Sequence, residues 1–393
     1  MRIGIDARVL MDRFYSGVSE YAANLLEAIL KIDKNNEYKL FYNSWHGLDN
    51  RLKSWNNRTI LSGTRIPNKI FNYILQKIFH YPKLDQVIGG ADVFWLPHFN
   101  FSSFNRSPRG PKLILTVHDL SFLRYPEFFS IRKNLWHWAL NVKKIIRRAE
   151  VIVAVSDNTK NDIVELVGIA PEKIRVIYSG NNICRREIDA EEISKFYQNH
   201  DLKSLEDKEY ILFLGNIEPR KNIATLIESF NLLRNNHRGE YRFDNLRLFL
   251  AGAAGWKDKA IYRTWKKSPH RDDIKFLGYI SRDEKDILYS RAKIFVYPSF
   301  YEGFGFPPLE ALTYGVPVVC SNNSSLPEVV GAAALLINPF KASEISEAME
   351  MALMDESLRS YLIEEGKKRV QLFSWDRAAA QYLELFKEIN EKE

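Results

Sequence analysis

Cysteine is almost absent from this chain: two residues in 393, Cys184 and Cys320, far apart and without metal-ligand spacing. That excludes a disulfide-stapled secreted scaffold and a thiolate zinc site, and it favours a reducing, cytoplasmic compartment. Cys320 closes the apolar run Val316-Pro317-Val318-Val319 and reads as a core thiol. Long apolar runs are missing as well, none approaching the ~20 residues of a membrane span. The N-terminal Met1-Arg2-Ile3-Gly4-Ile5-Asp6 reads as a first strand and lacks the apolar core of a signal peptide. Zinc-finger spacing and RNA-binding motifs are also absent. The formal charge of +7 is therefore not read as a nucleic-acid footprint. A nucleotide or an acidic lipid surface suits it better.

What is present is ample core: 46% hydrophobic and 13% aromatic residues, enough for two domains of about 190 residues each. Strands at 2–5, 38–42, 93–96, 113–117 and 151–155 alternate with helices at 19–32, 131–148 and 159–167. Asp157 or Asn158 is the expected N-cap of the last. The stretch around 175–180 and the polar residues on to 208 read as a linker. A second series then runs through strands at 210–214, 246–251, 274–277, 294–296 and 316–319. A final helix follows Phe373-Ser374-Trp375, with Ser374 as its cap. This alternation predicts the α/β class, as two doubly wound, Rossmann-like domains facing across a cleft, with ligands at the C-terminal ends of the strands. The expected division is 1–195, 196–372 and a terminal helix at 373–393 that packs back toward the first domain.

The run Val296-Tyr297-Pro298-Ser299-Phe300-Tyr301-Glu302-Gly303-Phe304-Gly305-Phe306-Pro307-Pro308-Leu309-Glu310 carries the most chemistry. A strand ends in a glycine loop, and a helix opens at a proline pair, where a missing N–H costs nothing. Glycines let backbone approach a ligand, and the free N–H groups of a helix start attract an anion. Glu302 and Glu310 bracket that cradle as hydroxyl-gripping carboxylates, which suits a phosphate attached to sugars. Dinucleotide binding is disfavoured, because the third glycine of G-x-G-x-x-G would fall at Pro308.

A second constellation is Leu214-Gly215-Asn216-Ile217-Glu218-Pro219-Arg220-Lys221-Asn222. Arg supplies a planar fork for phosphate oxygens and Lys a compact charge. Cations at a helix start oppose the macrodipole unless an anion sits between them; Asn222 is the expected cap. In the first half, Gly17 lies in the loop after the first strand. His118 ends the strand at 113–117, either contacting a ligand hydroxyl or pairing with Asp119. His98, after the strand at 93–96, is a candidate for the acceptor side.

Together these residues, with Phe276-Leu277-Gly278-Tyr279 and the Phe373-Ser374-Trp375 start of the last helix, resemble the retaining GT-B glycosyltransferases of family 4 across nearly the whole chain. The resemblance implies that Arg220 and Lys221 bind the donor pyrophosphate, Glu310 the ribose and Glu302 the donor-sugar hydroxyls. Gly303, Phe304 and Gly305 would lie beside the distal phosphate and sugar, and Gly215 and Gly17 by the phosphates. Gly278 and Tyr279 would border the base, and His118 the sugar. Asn216 stands where many members carry Arg, and Ser19 where many carry a second glycine.

The activity implied is transfer of a hexose from a nucleotide-diphosphate sugar to a glycan or lipid-linked acceptor in cell-surface polysaccharide synthesis. GDP-mannose is one candidate donor; no metal and no further cofactor are expected. A sugar-nucleotide 2-epimerase of the same fold and a non-catalytic nucleotide-sugar or glycan-binding module are the rivals. Two basic aromatic stretches, at 65–79 and 132–148, read either as core-facing helices with a solvated rim or as a peripheral face for an anionic membrane at its inner surface.

Overall fold

Wholly apolar strands need cover on both faces, and the wholly buried Tyr210–Leu214, Ile294–Tyr297 and Val318–Ser321 therefore belong in the interior of parallel sheets. The computed structural model describes residues 1–11, 17–44, 55, 58–105, 110–181 and 185–391. These divide into two compact units. The first holds Met1–Arg124, Arg132–Gly180 and Phe373–Glu393; the second holds Tyr125–Ile131 and Asn181–Leu372.

In the first unit, strands β1 (Arg2–Asp6), β2 (Glu37–Asn43), β3 (Thr59–Thr64), β4 (Val93–Leu96), β5 (Lys112–Val117), β6 (Val151–Ala154) and β7 (Ile174–Val176) form one sheet. Its order is β3-β2-β1-β4-β5-β6-β7, and every pairing is parallel. The last helix, Trp375–Glu391, belongs to this unit. Its Tyr382 hydroxyl shares hydrogen bonds with Thr116 Oγ1 at 2.7 Å and the Tyr21 hydroxyl at 2.9 Å. Where this helix begins the packing is tight, since a Cβ on Gly180 would lie 2.3 Å from the Trp375 backbone nitrogen.

In the second unit, β8 (Tyr210–Leu214), β9 (Arg247–Ala251), β10 (Ile274–Gly278), β11 (Ile294–Tyr297), β12 (Val318–Ser321) and β13 (Ala334–Ile337) assemble in the order β10-β9-β8-β11-β12-β13. These pairings are also parallel. The direction of strand addition reverses between β1 and β4 in one sheet and between β8 and β11 in the other. Such a reversal parts the loops at the carboxyl ends of two neighbouring strands and leaves a crevice for a ligand.

Several local expectations change. Residues 174–176, read as linker, form the edge strand β7; with three residues and a charged Arg175 it carries little periodic signal. β3 and β13 were not anticipated either. The fifth strand of the second series runs Val318–Ser321, two residues later than expected, because Pro317 offers no N–H and only its carbonyl is used, by Phe295 N. The single helix expected at 131–148 is two, Ile131–Leu140 and Val142–Arg148, broken where Asn141 turns left-handed at φ 54°. Ser156, not Asp157 or Asn158, caps Asp157–Val167 by accepting from Thr159 N. Ser374 offers its carbonyl to Ala378 N at 3.0 Å. The division at 195/196 falls inside the helix Ala190–Asn199, whose Phe196 and Tyr197 lie in the second unit's core. Cys320 is a free, buried thiol whose pKa burial pushes up; Cys184 lies outside the described residues.

Candidate functional site

β8 and β11 are neighbours in the sheet, so the loops after them meet. Phe300 N donates to Arg220 O at 2.9 Å, joining the two. After β8 the chain passes through Gly215 and Ile217, whose amides donate to Ala251 O and Ala253 O. A 3-10 turn, Pro219–Lys221, follows, with Pro at its start where no N–H is needed. Asn222 then turns left-handed, φ 58°, before the helix Ile223–Asn236. It makes no side-chain cap to that helix, contrary to expectation. Its side-chain nitrogen instead donates to Pro339 O at 2.6 Å, and its side-chain oxygen accepts from Thr225 Oγ1 at 2.7 Å.

The turn delivers Arg220 and Lys221 to Glu302. Lys221 Nζ lies 2.6 Å from Glu302 Oε1 and 2.5 Å from the Tyr297 hydroxyl. Arg220 Nη1 lies 3.1 Å from Glu302 Oε2 and donates to Tyr301 O at 2.6 Å. Its Nε and Nη2 donate to Glu218 Oε1 at 3.1 and 2.8 Å. All four charged side chains are buried or nearly so. Two carboxylates against two cations make the cluster formally neutral. Burial alone would raise the Glu302 carboxyl, but Arg220 and then Lys221 overcome it and hold the pKa down at about 2. Burial lowers Lys221, with Glu302 opposing. Glu302 therefore lies, as an anion, between the two cations.

The Glu302 loop is held from behind by β12's loop. Glu302 N donates to Ser324 Oγ at 3.0 Å, and Ser325 Oγ donates to Glu302 O at 3.0 Å and Phe304 O at 2.7 Å. Gly305, at φ +112°, starts the helix Phe306–Thr313, a conformation that L side chains resist. Gly303 lies between these anchors. Inside that helix Glu310 is 2% exposed; Tyr289 donates to its Oε2 at 2.9 Å and Lys285 Nζ lies 3.7 Å from its Oε1. The two glutamates thus have separate partners. Gly278, at φ +74° with open space at its Cβ position, ends β10, and the exposed Tyr279 follows it.

Gly17 and His118 belong to the first unit. Gly17 opens the helix Gly17–Ile32; the preceding residues 12–16 lie outside the described ones. His118 Nε2 is 2.8 Å from Pro97 O, which fixes that nitrogen as the donor and leaves Nδ1 as an acceptor. Its ring meets Tyr21 edge-on at 4.7 Å and lies 5.8 Å from His98. Asp119 is not its hydrogen-bond partner, because Asp119 Oδ1 accepts from Ser121 N and Oγ. Burial takes His118 down to about 4 and His98 to about 3, so both are neutral at pH 7. His118 can accept a hydroxyl there; it is not a standing positive charge.

Sequence reading quoted Glu218 and Tyr297 in its two runs without giving them a role, and missed Tyr289, Ser324 and Ser325. Only the polar run Ser321-Asn322-Asn323-Ser324-Ser325 before Leu326-Pro327 signalled a loop of interest. Nothing local linked it to Glu302.

Residues 15–184 match the family model described as Glycosyltransferase Family 4, and residues 195–369 the model described as Glycosyl transferases group 1. The O-antigen chain mannosyltransferase B of Escherichia coli is 33% identical over 297 residues, 75% of this chain and 72% of that one. The serotype-specific mannosyltransferase WbdA of Escherichia coli is 31% identical over 277 residues, 70% of this chain but 33% of that longer protein. Sucrose-phosphate synthase from Thermosynechococcus elongatus aligns with a TM-score of 0.71 at 20% identity over 99% of both chains. At that identity the likeness speaks for the fold, GT-B with two Rossmann-like domains.

Proposed function

This chain belongs to the glycosyltransferases of group 1 and family 4, and from that premise we propose that it transfers mannose from GDP-mannose, with retention and without a metal, to a glycan or lipid-linked acceptor of a cell-surface polysaccharide. The observation that carries this reading is the buried Arg220–Lys221–Glu302 cluster at the switch point between β8 and β11. The mannosyl donor and the polysaccharide acceptor rest on the relatives' names.

The chemistry follows from the charges. A donor diphosphate takes the place of the Glu302 carboxylate between Arg220 and Lys221, joined by the amides of Gly303, Phe304 and Gly305. Glu302 turns to the sugar hydroxyls, and Glu310, with Tyr289 behind it, takes the ribose hydroxyls. Gly215 lets backbone approach the phosphates, and Gly278 and Tyr279 border the base. Preorganised cations stabilise the departing diphosphate, and its oxygen accepts the proton of an acceptor hydroxyl attacking the same face. Glu302 is held ionised by its cations and is assigned no nucleophilic role. The two cations supply the neutralisation that a metal would otherwise provide.

The test is a panel of GDP-, UDP- and ADP-sugars with glycan acceptors in excess EDTA, the product's anomeric configuration read by NMR. Transfer from GDP-mannose with retention is expected. A metal requirement or inversion removes the mechanism. Altered free sugar nucleotide without acceptor supports the epimerase, and donor binding without turnover the binding module.

A second element of the proposal is membrane contact. No described helix is long and apolar enough to cross a bilayer. In the π-helical turn Ile70–Phe79, Phe71 is buried against Phe41, but Ile70, Ile74, Ile78 and Phe79 face outward. Phe79 is 66% and Trp138 79% exposed, and Lys77 Nζ sits 6.0 Å from the Trp138 ring centroid, so the two basic aromatic stretches are contiguous. Exposed apolar side chains among lysines suit an anionic lipid surface. Flotation with phosphatidylglycerol vesicles at low salt is expected to carry the protein, and Trp138→Ser with Phe79→Ser to release it. Failure of the wild-type chain to float removes the idea.

A further inference from the structure

Glu218 is 1% exposed and stands two residues before Arg220, beside a site that must receive an anion. A buried negative charge beside a diphosphate site works against an anionic ligand. It is also only half used: both bonds from Arg220 fall on Oε1, and Oε2 is buried with no hydrogen-bond partner among the described residues. An unpaired buried carboxylate oxygen is destabilising. A buried carboxylate that opposes an anionic ligand and leaves one oxygen unpaired, yet is held firmly, points to a task at the site.

It is held firmly. Lys221 N donates to Glu218 O at 3.1 Å, and Gly255 N to Ile217 O at 3.1 Å. Ile217 also forms an isolated parallel bridge with Ala254. A Cβ on Gly255 would lie 2.6 Å from Ile217 O and 3.2 Å from the Glu218 Cβ, so the loop after β9 presses directly on the backbone that carries Glu218. From that fixed base the carboxylate grips the Nε and Nη2 edge of Arg220. The Nη1 end is thereby aimed at Tyr301 O and Glu302.

Resting on the reading of this cluster as a diphosphate site, we propose that Glu218 is a positioning residue: it sets the orientation of the Arg220 fork, so that when Glu302 turns away the Nη1 end meets the diphosphate without rearrangement. A flexible arginine would have to be ordered by the ligand, and that ordering weakens binding.

The experiment is titration calorimetry with GDP, and with UDP and ADP as companions, on the full chain. Glu218→Ala is expected to weaken binding by roughly tenfold or more, the scale of a charge-assisted bond, and to lower the thermal midpoint as well, since it breaks the buried pair with Arg220. Glu218→Gln, whose amide oxygen can accept the same two bonds without the charge, is expected to bind GDP at least as well as wild type. In an Arg220→Ala background, Glu218→Ala should have no further effect. Should Glu218→Ala fail to fold, Glu218→Met, similar in volume but unable to hold the guanidinium, carries the same comparison. Wild-type affinity in the alanine or methionine variant overturns the proposal, as does a loss that adds to that of Arg220→Ala. If the wild-type chain binds none of the three nucleotides, the diphosphate reading itself fails, an outcome distinct from both.

Discussion

Glu302→Ala is expected to lower the rate of sugar transfer by about three orders of magnitude, as loss of a contact made to the reacting sugar can, while GDP binds as tightly as before or tighter. The sign of the second effect comes from the geometry of the charged cluster. Glu302 bridges Lys221 at 2.6 Å and Arg220 at 3.1 Å, and a diphosphate must displace it from both. Removing the carboxylate frees the cations for phosphate but deletes the grip on the sugar. Turnover should therefore fall while GDP affinity holds or rises, read by steady-state rates beside calorimetry. Parallel losses in both would mean that Glu302 only supports the loop.

The same residue should appear in acid unfolding. Its folded pKa, about 2, lies below the ordinary value of a carboxyl. Its contribution to stability is complete above the unfolded-state value, roughly 4.3, and is lost as pH falls through about 2. The alanine variant lacks that contribution to the acid limb.

Lys221→Ala should weaken GDP binding by about a hundredfold, the scale of losing a charge-assisted contact to phosphate together with its field. It should also lower stability, because breaking a buried ion pair leaves Glu302 with less compensation, a change of about 3 kcal/mol or more. Inorganic pyrophosphate separates this role from that of Glu310. Lys221→Ala is expected to lose pyrophosphate and GDP alike. Glu310→Ala, whose partners are Tyr289 and Lys285, should lose GDP affinity but keep pyrophosphate. If Glu310→Ala bound GDP normally, its assignment to the ribose would be wrong.

The side chains that meet in the charged cluster were legible because they lie in two short runs. Gly215 to Asn222 and Tyr297 to Glu310 each hold their glycines, prolines and charges within one strand–loop–helix passage, where spacing alone carries meaning. Strands buried on both faces, such as 210–214 and 93–96, were legible for the same reason: every residue must be apolar. Edge strands were not, since β7 is three residues long and half-exposed. Nor was the break at Asn141, because a residue with positive φ leaves the apolar spacing around it intact.

Helical spacing at 70–78 puts Phe71 and Ile78 on one face, but the turn Ile70–Phe79 is π-helical, so Phe71 is buried against Phe41 while Ile78 faces outward. By itself, then, the sequence determined the α/β class, the two switch-point loops and the kinds of side chain they carry. Only the tertiary structure decided which charge neutralises which. Arg220 and Glu302 are distant along the chain and meet because β8 lies beside β11, and Ser324 reaches Glu302 because β12 lies beside β11. Local composition sets what a side chain can do; sheet order sets what stands opposite it.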